Sequence, residues 1–220
     1  MPQKDLLLSR HYLYQPVSWS QAIIIVSAAL IETKSLRLVA HTPEQLRTLM
    51  ASAEFYEQRF GLRLADGVRE FLVSDEVSPD WLAQLQVSTV ADPWKHGFAL
   101  VHLADNAVIG MGGYKVPPNA DGMVEIAYGV VPGYQGRGYA TEAAQALIAY
   151  ALASGHVRTI RAHTSSEVNA STKVLEKCGF KCLGEVIDPE DGVVWRWEKK
   201  GIAESGGPAN GNQPIRSETN

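Results

Sequence analysis

The stretch Gln135-Gly136-Arg137-Gly138-Tyr139-Ala140 constrains what this chain can fold into more than any other. An apolar run, 124–131, leads into it and an alanine-rich run, 141–153, leads out. That order reads as a strand, a glycine-bearing turn and the opening of a helix. Ala143, Ala144, Leu147, Ile148, Ala151 and Leu152 recur at helical spacing, so the helix can bury one side while its amino end faces outward. The first turn of such a helix leaves backbone N–H groups without partners, and the helix dipole adds partial positive charge there. This is an anion site, most often for phosphate. Two glycines alone also suit a tight turn with no ligand, so the rest of the chain has to decide.

Residues 1–31 fit poorly with the pattern of the later chain and read as a variable or disordered extension. The apolar run 22–31 is shorter than the roughly 20 residues that span a membrane. The long, weakly basic region before it, with Tyr12, Tyr14, Pro16 and Trp19, argues against a signal peptide. The Ile/Val run in it is a candidate for an added strand or a partner contact. From residue 32 the pattern sharpens. Leu36, Leu38 and Ala40 alternate with Arg37 and Val39, a first strand. Thr42-Pro43-Glu44 starts a helix over 44–50, and 52–60 and 66–72 read as further short helical pieces. Ser78-Pro79-Asp80 opens another helix, predicted to run to about Val90 with Trp81, Leu82, Leu85 and Val90 on its apolar face.

Strands cluster next. Residues 97–103 and 107–115 form a hairpin across Ala104-Asp105-Asn106. Gly112-Gly113 marks a bend or a close backbone approach. A third strand covers 123–131, a fourth 159–164. A short helix over 169–177 is closed by Gly179, a C′ glycine. Strands 180–186 and 193–198 finish the domain, which spans 32–200. The tail, 201–220, is rich in Gly, Asn, Ser and Pro and is expected to be disordered. A net charge of −4 argues against a mainly electrostatic nucleic-acid binder. Cys178 and Cys182 form no CxxC pair and read as reduced thiols of a cytoplasmic protein. The histidines are scattered without metal spacing, so no metal is expected, and no membrane partner either.

At this point the chain resembles the GNAT acetyltransferase superfamily. Gln135 to Ala140 is similar to its Q/R-x-x-G-x-G/A pyrophosphate loop. Asn169-Ala-Ser-Thr-Lys-Val-Leu-Glu-Lys-Cys-Gly-Phe180 resembles a second signature, an Asn and a Ser near the start of a short helix ending in K-x-G-F. Glu32-Thr33-Lys34-Ser35-Leu36-Arg37-Leu38 and Val124-Glu-Ile-Ala-Tyr128 resemble the Rim-type branch, whose best known members acetylate amino termini of ribosomal proteins. The resemblance covers about 32–198. It implies an α+β fold of three layers, α/β/α, with a central, mostly antiparallel sheet and one splayed parallel strand pair. It also implies acetyl-CoA as donor, a primary amine as acceptor, direct attack in a ternary complex, and a monomer or homodimer.

The resemblance carries over to particular residues. The N–H groups of Gln135, Gly136, Arg137, Gly138, Tyr139 and Ala140 would cradle the pyrophosphate. Arg137 either adds charge there or is a solvated loop arginine. Val130 and Val131 would pair their backbone with pantetheine, with the thioester against Tyr128 or Val130 and a backbone N–H near Val130 as oxyanion donor. The tyrosine that protonates the leaving thiolate in many relatives is replaced by Leu175. Ser171 is the substitute, or it is simply a helix N-cap. Asn169 is assigned to the cofactor or its loop. Three groups compete as base: Glu125 on the central strand, where burial would raise its pKa, Glu190 on the last loop, and His163. Glu142 favours the helix amino end electrostatically, and Lys173 and Lys177 are solvated helix lysines or phosphate contacts. The replacement at Leu175 leaves a non-catalytic acyl-CoA sensor or scaffold as the alternative. A dinucleotide-binding oxidoreductase fits poorly, because the third glycine of G-x-G-x-x-G is Thr141.

Overall fold

The computed structural model of the chain describes residues 25–27, 30–74, 77–189 and 191–201. The elements in chain order are β1 (Ile25–Ser27), β2 (Leu30–Glu32), β3 (Leu36–Ala40), α1 (Pro43–Ala51), α2 (Ala53–Phe60), β4 (Arg63–Leu64), α3 (Glu70–Val73), α4 (Pro79–Val87), α5 (Pro93–His96), β5 (Phe98–His102), β6 (Ala107–Tyr114), β7 (Met123–Val130), α6 (Tyr139–Ala153), β8 (Thr159–Ser165), α7 (Ala170–Lys177), β9 (Lys181–Asp188) and β10 (Gly192–Lys200). One sheet runs in the order β1-β2-β3-β5-β6-β7-β8-β10-β9, with β4 beside β6. Its pairs are antiparallel except β7/β8 and the two-residue β4/β6 pair. Helices α6 and α7 cover one face and α1 to α4 the other. This is the three-layer α+β arrangement expected from the resemblance.

Local signals account for most element boundaries. Thr42 caps α1 through the Gln45 amide, and the Gln45 side chain returns to the Thr42 amide, a full capping box. Ser52 and Ser78 cap α2 and α4. The alternation over β3 is realised: Leu36, Leu38 and Ala40 turn toward α6, while Val39 packs among the residues under α1. All five residues of β5 are buried because helices cover both of its faces. On α6 the buried Ala143, Ala144, Ala146 and Ala151 let the helix lie close to the sheet, and Leu147 and Ile148 fill the gaps. Burying a side chain the size of Leu147 contributes about 1.5–3 kcal/mol.

Several expectations need correction. Helix α4 stops at Val87, where the Ser88 amide closes onto Gln84 and Leu85, and Val90 is left exposed instead of joining the apolar face. Of 66–72 only the end is helical, since 66–69 form turns. Helix α5, capped by Asp92, and strand β4 are additions to the predicted elements. The sheet also begins earlier than residue 32: β1 pairs with β2, and β2 with β3, so the Ile/Val run does add a strand. The remainder of the proposed extension, 1–24 and 28–29, and the tail from 202 lie outside the described residues. Gly112-Gly113 is a site of close approach, because a Cβ on Gly113 would stand 2.7 Å from the Gly97 Cα. No described helix is long and apolar enough to cross a membrane.

Candidate active site

The parallel pair β7/β8 is joined only at its start, through Met123↔Thr159, Val124↔Ile160 and Glu125↔Arg161. Beyond Glu125 the two strands part, while β7 stays paired with β6 as far as Val130. The Val131 amide donates to the Ile109 carbonyl on β6 at 2.9 Å, so it is spent within the sheet. By the alternation of an antiparallel strand, the peptide groups of Tyr128 and Val130 then point away from β6, into the opening. The Val130 carbonyl receives the Gln135 side-chain amide at 2.8 Å. That bond ties the turn to the strand end.

The turn itself is exposed from Gln135 to Gly138. Gly136 and Gly138 have φ of 74° and 90°, a region that favours glycine, and a Cβ on either would meet nothing within 4 Å. The concave side is therefore open. Gly138 is the N-cap of α6 and offers no side-chain cap, so the amides of Tyr139, Ala140 and Thr141 have no acceptor in the helix. These features fit a pyrophosphate: donors converge at a helix amino end with no side chain in the way. Arg137 lies 5.5 Å above the Tyr134 ring. Glu142 does more than favour the helix end electrostatically. Its carboxylate accepts from Thr33 Oγ1 and from the Ser35 amide, both at 2.6 Å, pinning α6 to the β2–β3 turn.

Helix α7 differs in detail from the sequence reading. Its N-cap is Asn169, not Ser171: Asn169 Oδ1 accepts from the Ser171 and Thr172 amides at 2.8 and 3.0 Å, and its Nδ2 donates to Ser165 Oγ at 2.7 Å. Both ends of the Asn169 amide are thus used inside the protein. Ser171 is relieved of capping, and its hydroxyl stands beside the buried Tyr128 phenol. Burial pushes the Tyr128 pKa up to about 12, against an opposing pull from Ser171, although the two hydroxyls fall short of full hydrogen-bond geometry. Leu175 is wholly buried in the core. Lys173 and Lys177 are exposed. From the sequence, Tyr128 is expected only as a wall for the thioester. Its spacing of two from Val130, which places both on one face, is the available sign that its hydroxyl reaches the same opening.

On the opposite face of the sheet, Glu125 and His163 meet. His163 Nδ1 lies 3.0 Å from Glu125 Oε1, and the side chains are 9 % and 14 % exposed. His163 Nε2 is buried with no partner among the described residues. With Nδ1–H donated to the carboxylate, Nε2 carries the lone pair. Lys115 Nζ stands 3.3 Å from the same Glu125 oxygen and 3.4 Å from Asp191 Oδ2. Glu125 is therefore flanked by two nitrogen groups instead of the apolar surroundings inferred from its strand. A groove of about 430 Å3 opens on this face, lined in part by Phe71, Trp81, Met111, Lys115 and Gly129. The Phe71 ring lies against Gly129, where a Cβ would come within 3.0 Å of it. Glu190 lies outside the described residues.

A parted parallel pair, a glycine turn and a helix amino end follow one another here in the order that the resemblance to the GNAT fold implies. The chain belongs to that family: residues 36–181 match the family model described as "Acetyltransferase (GNAT) domain". It is 37 % identical over 73 residues to the uncharacterized N-acetyltransferase YjdG of Bacillus subtilis, a match covering 33 % of this chain and 44 % of that one. It is 31 % identical over 93 residues to the uncharacterized N-acetyltransferase p20 of Bacillus licheniformis, covering 42 % and 52 %. The chain thus spans about half the length of the curated relatives it matches. Among solved structures, RimL, a ribosomal L7/L12 alpha-N-protein acetyltransferase in complex with coenzyme A, superposes with a TM-score of 0.55 at 16 % identity, covering 78 % of this chain and 97 % of that one. That likeness establishes the fold.

Proposed function

We propose that this chain is an acetyl-CoA-dependent N-acetyltransferase that acts on a primary amine, a peptide amino terminus or a small molecule, by direct attack in a ternary complex. The observation that carries the reading is the parting of β7 from β8 beyond Glu125, on the strand that leads into the open turn 135–140. Pyrophosphate lies on the amides of 136–141, since the Gln135 amide, expected to join the cradle, donates instead to the Pro132 carbonyl at 3.2 Å; pantetheine runs along the free edge of β7 at Val130 and Tyr128. The amine enters from the groove on the face of Glu125. His163 Nε2, oriented by Glu125 and set behind the groove wall, takes the amine proton through an intervening water. The amine nitrogen attacks the thioester carbon, the Val130 N–H stabilises the oxyanion, and the C–S bond breaks as the C–N bond is kept. The thiolate takes a proton delivered by Tyr128 with Ser171 beside it, on the other face of the wedge. A phenol held near 12 stays protonated at neutral pH and so remains a donor. The free thiols Cys178 and Cys182 suit a reducing, cytoplasmic setting.

The test is thiol release from acetyl-CoA across a panel of amines and peptides with free amino termini, run beside CoA calorimetry. Turnover with at least one acceptor, lost in His163→Gln with CoA affinity kept, is the expected result. Saturable CoA binding without turnover on any amine would favour a non-catalytic module, and the absence of CoA binding would overturn the reading altogether.

A further inference from the structure

The turn 135–140 is exposed and has little packing of its own, yet it has to hold several amides in register. Both of its flanks lead to the same pair of side chains on the β5–β6 hairpin. Before the turn, the Tyr134 hydroxyl donates to Asp105 Oδ2 at 2.7 Å. After it, the Tyr139 hydroxyl lies 2.8 Å from His102 Nε2. His102 Nδ1 lies 3.0 Å from the same Asp105 Oδ2. The His102 ring sits 5.6 Å from Tyr134 and 4.9 Å from Tyr139, centroid to centroid, so it fills the space between the two flanks. His102 is buried and Asp105 is half-exposed at the hairpin tip. One proton arrangement satisfies every contact: Nδ1–H and the Tyr134 O–H both donate to Asp105, and the Tyr139 O–H donates to Nε2. The Tyr134 bond also holds the Asp105 carboxyl below its ordinary range.

We infer that His102 and Asp105 are positioning residues for the cofactor: they clamp the two flanks of turn 135–140 and preset its amides for the pyrophosphate. This rests on the assignment of the turn to coenzyme A. The clamp acts on binding, because neither residue lines the groove. A turn that is ordered beforehand loses less freedom when the anion arrives, which favours affinity. Tyr134 has a further part, since Arg137 is stacked on the ring that Asp105 holds.

The experiment is titration of CoA into the full chain by calorimetry. His102→Ala and Asp105→Ala are expected to weaken CoA about tenfold, the loss of roughly one to two hydrogen bonds, with one site per chain retained. Asp105→Asn keeps an oxygen that can accept both bonds while removing the charge, and should stay within about twofold of wild type. Tyr139→Phe should weaken binding alone but add little to His102→Ala, since both cut the same arm. Asp105→Ala is at an exposed position and serves as the readout if His102→Ala fails to fold. Unchanged affinity in Asp105→Ala would overturn the clamp, and so would Asp105→Asn as weak as Asp105→Ala. A merely structural role would lower the number of competent sites and leave the dissociation constant alone. Wild type that does not bind CoA would instead defeat the assignment of the turn.

Discussion

Replacing His41 by leucine should flatten the acid side of this protein's stability curve. His41 is 1 % exposed at the β3–α1 junction, its amide donates to the Gly97 carbonyl at 3.0 Å, and its Nε2 is buried without a partner among the described residues. Burial, followed by the nearby His96, lowers its pKa from 6.5 to about 3. The folded protein therefore keeps His41 neutral while the unfolded chain takes up a proton as pH falls below about 6.5. Stability is full above that pH and is lost progressively down to about pH 3. At pH 5 the unfolded group lies about 1.5 units above the pH, which at 1.36 kcal/mol per unit is a loss of about 2 kcal/mol. That figure depends on the ordinary histidine pKa and only requires the folded value to lie well below 5. Urea denaturation at pH 7.5 and pH 5 measures it. Wild type should lose about 2 kcal/mol more than His41→Leu over that interval, whatever leucine does to the absolute stability. Burial also lowers the His96 pKa, so a residual slope of the same sign remains in the variant. Parallel curves for the two proteins would refute the reasoning.

Three further outcomes are open to measurement. Gly138→Asp forces a residue with a Cβ to φ 90° and sets a carboxylate at the open turn, so CoA affinity should fall about tenfold or more; unchanged affinity in calorimetry would remove the turn from cofactor binding. Gly113→Ala drives a methyl group to 2.7 Å from the Gly97 backbone, where nothing flexible can give way; a loss of about 1–3 kcal/mol in urea denaturation is expected, and an unchanged midpoint would show that β6 does not approach Gly97 so closely. Tyr128→Phe should cut turnover about a hundredfold, and Ser171→Ala by less, with CoA affinity kept in both. Equal losses in turnover and affinity would assign these hydroxyls to binding rather than proton delivery.

Legibility in the sequence tracks how local each signal is. The caps at Thr42 and Ser78, the period-two pattern of Leu36, Leu38 and Ala40, and the terminating Gly179 are written within a few neighbouring residues, and all appear in the structure. The end of α4 misleads because Val90 continues the apolar spacing, although Ser88 already terminates the helix by taking up its last carbonyls. Strand β4 is two residues long and pairs with β6 more than 40 positions away, too short to carry a pattern. Asn169 and Ser171 are both visible as polar residues at a helix start. Which of them caps depends on backbone angles that composition does not report.

The sequence alone determined the glycine turn, the helix behind it and the succession of strands around it, because glycine's access to positive φ and the 3.6-residue period act between near neighbours. Only the tertiary structure decided which distant side chains meet. Glu125 and His163 meet because β7 and β8 pair in one register and then part. His102 reaches Tyr139 because the β5–β6 hairpin comes up beside α6. Interactions between side chains about 40 residues apart depend on register and strand twist, which are properties of the whole sheet and leave no mark on any single stretch of chain.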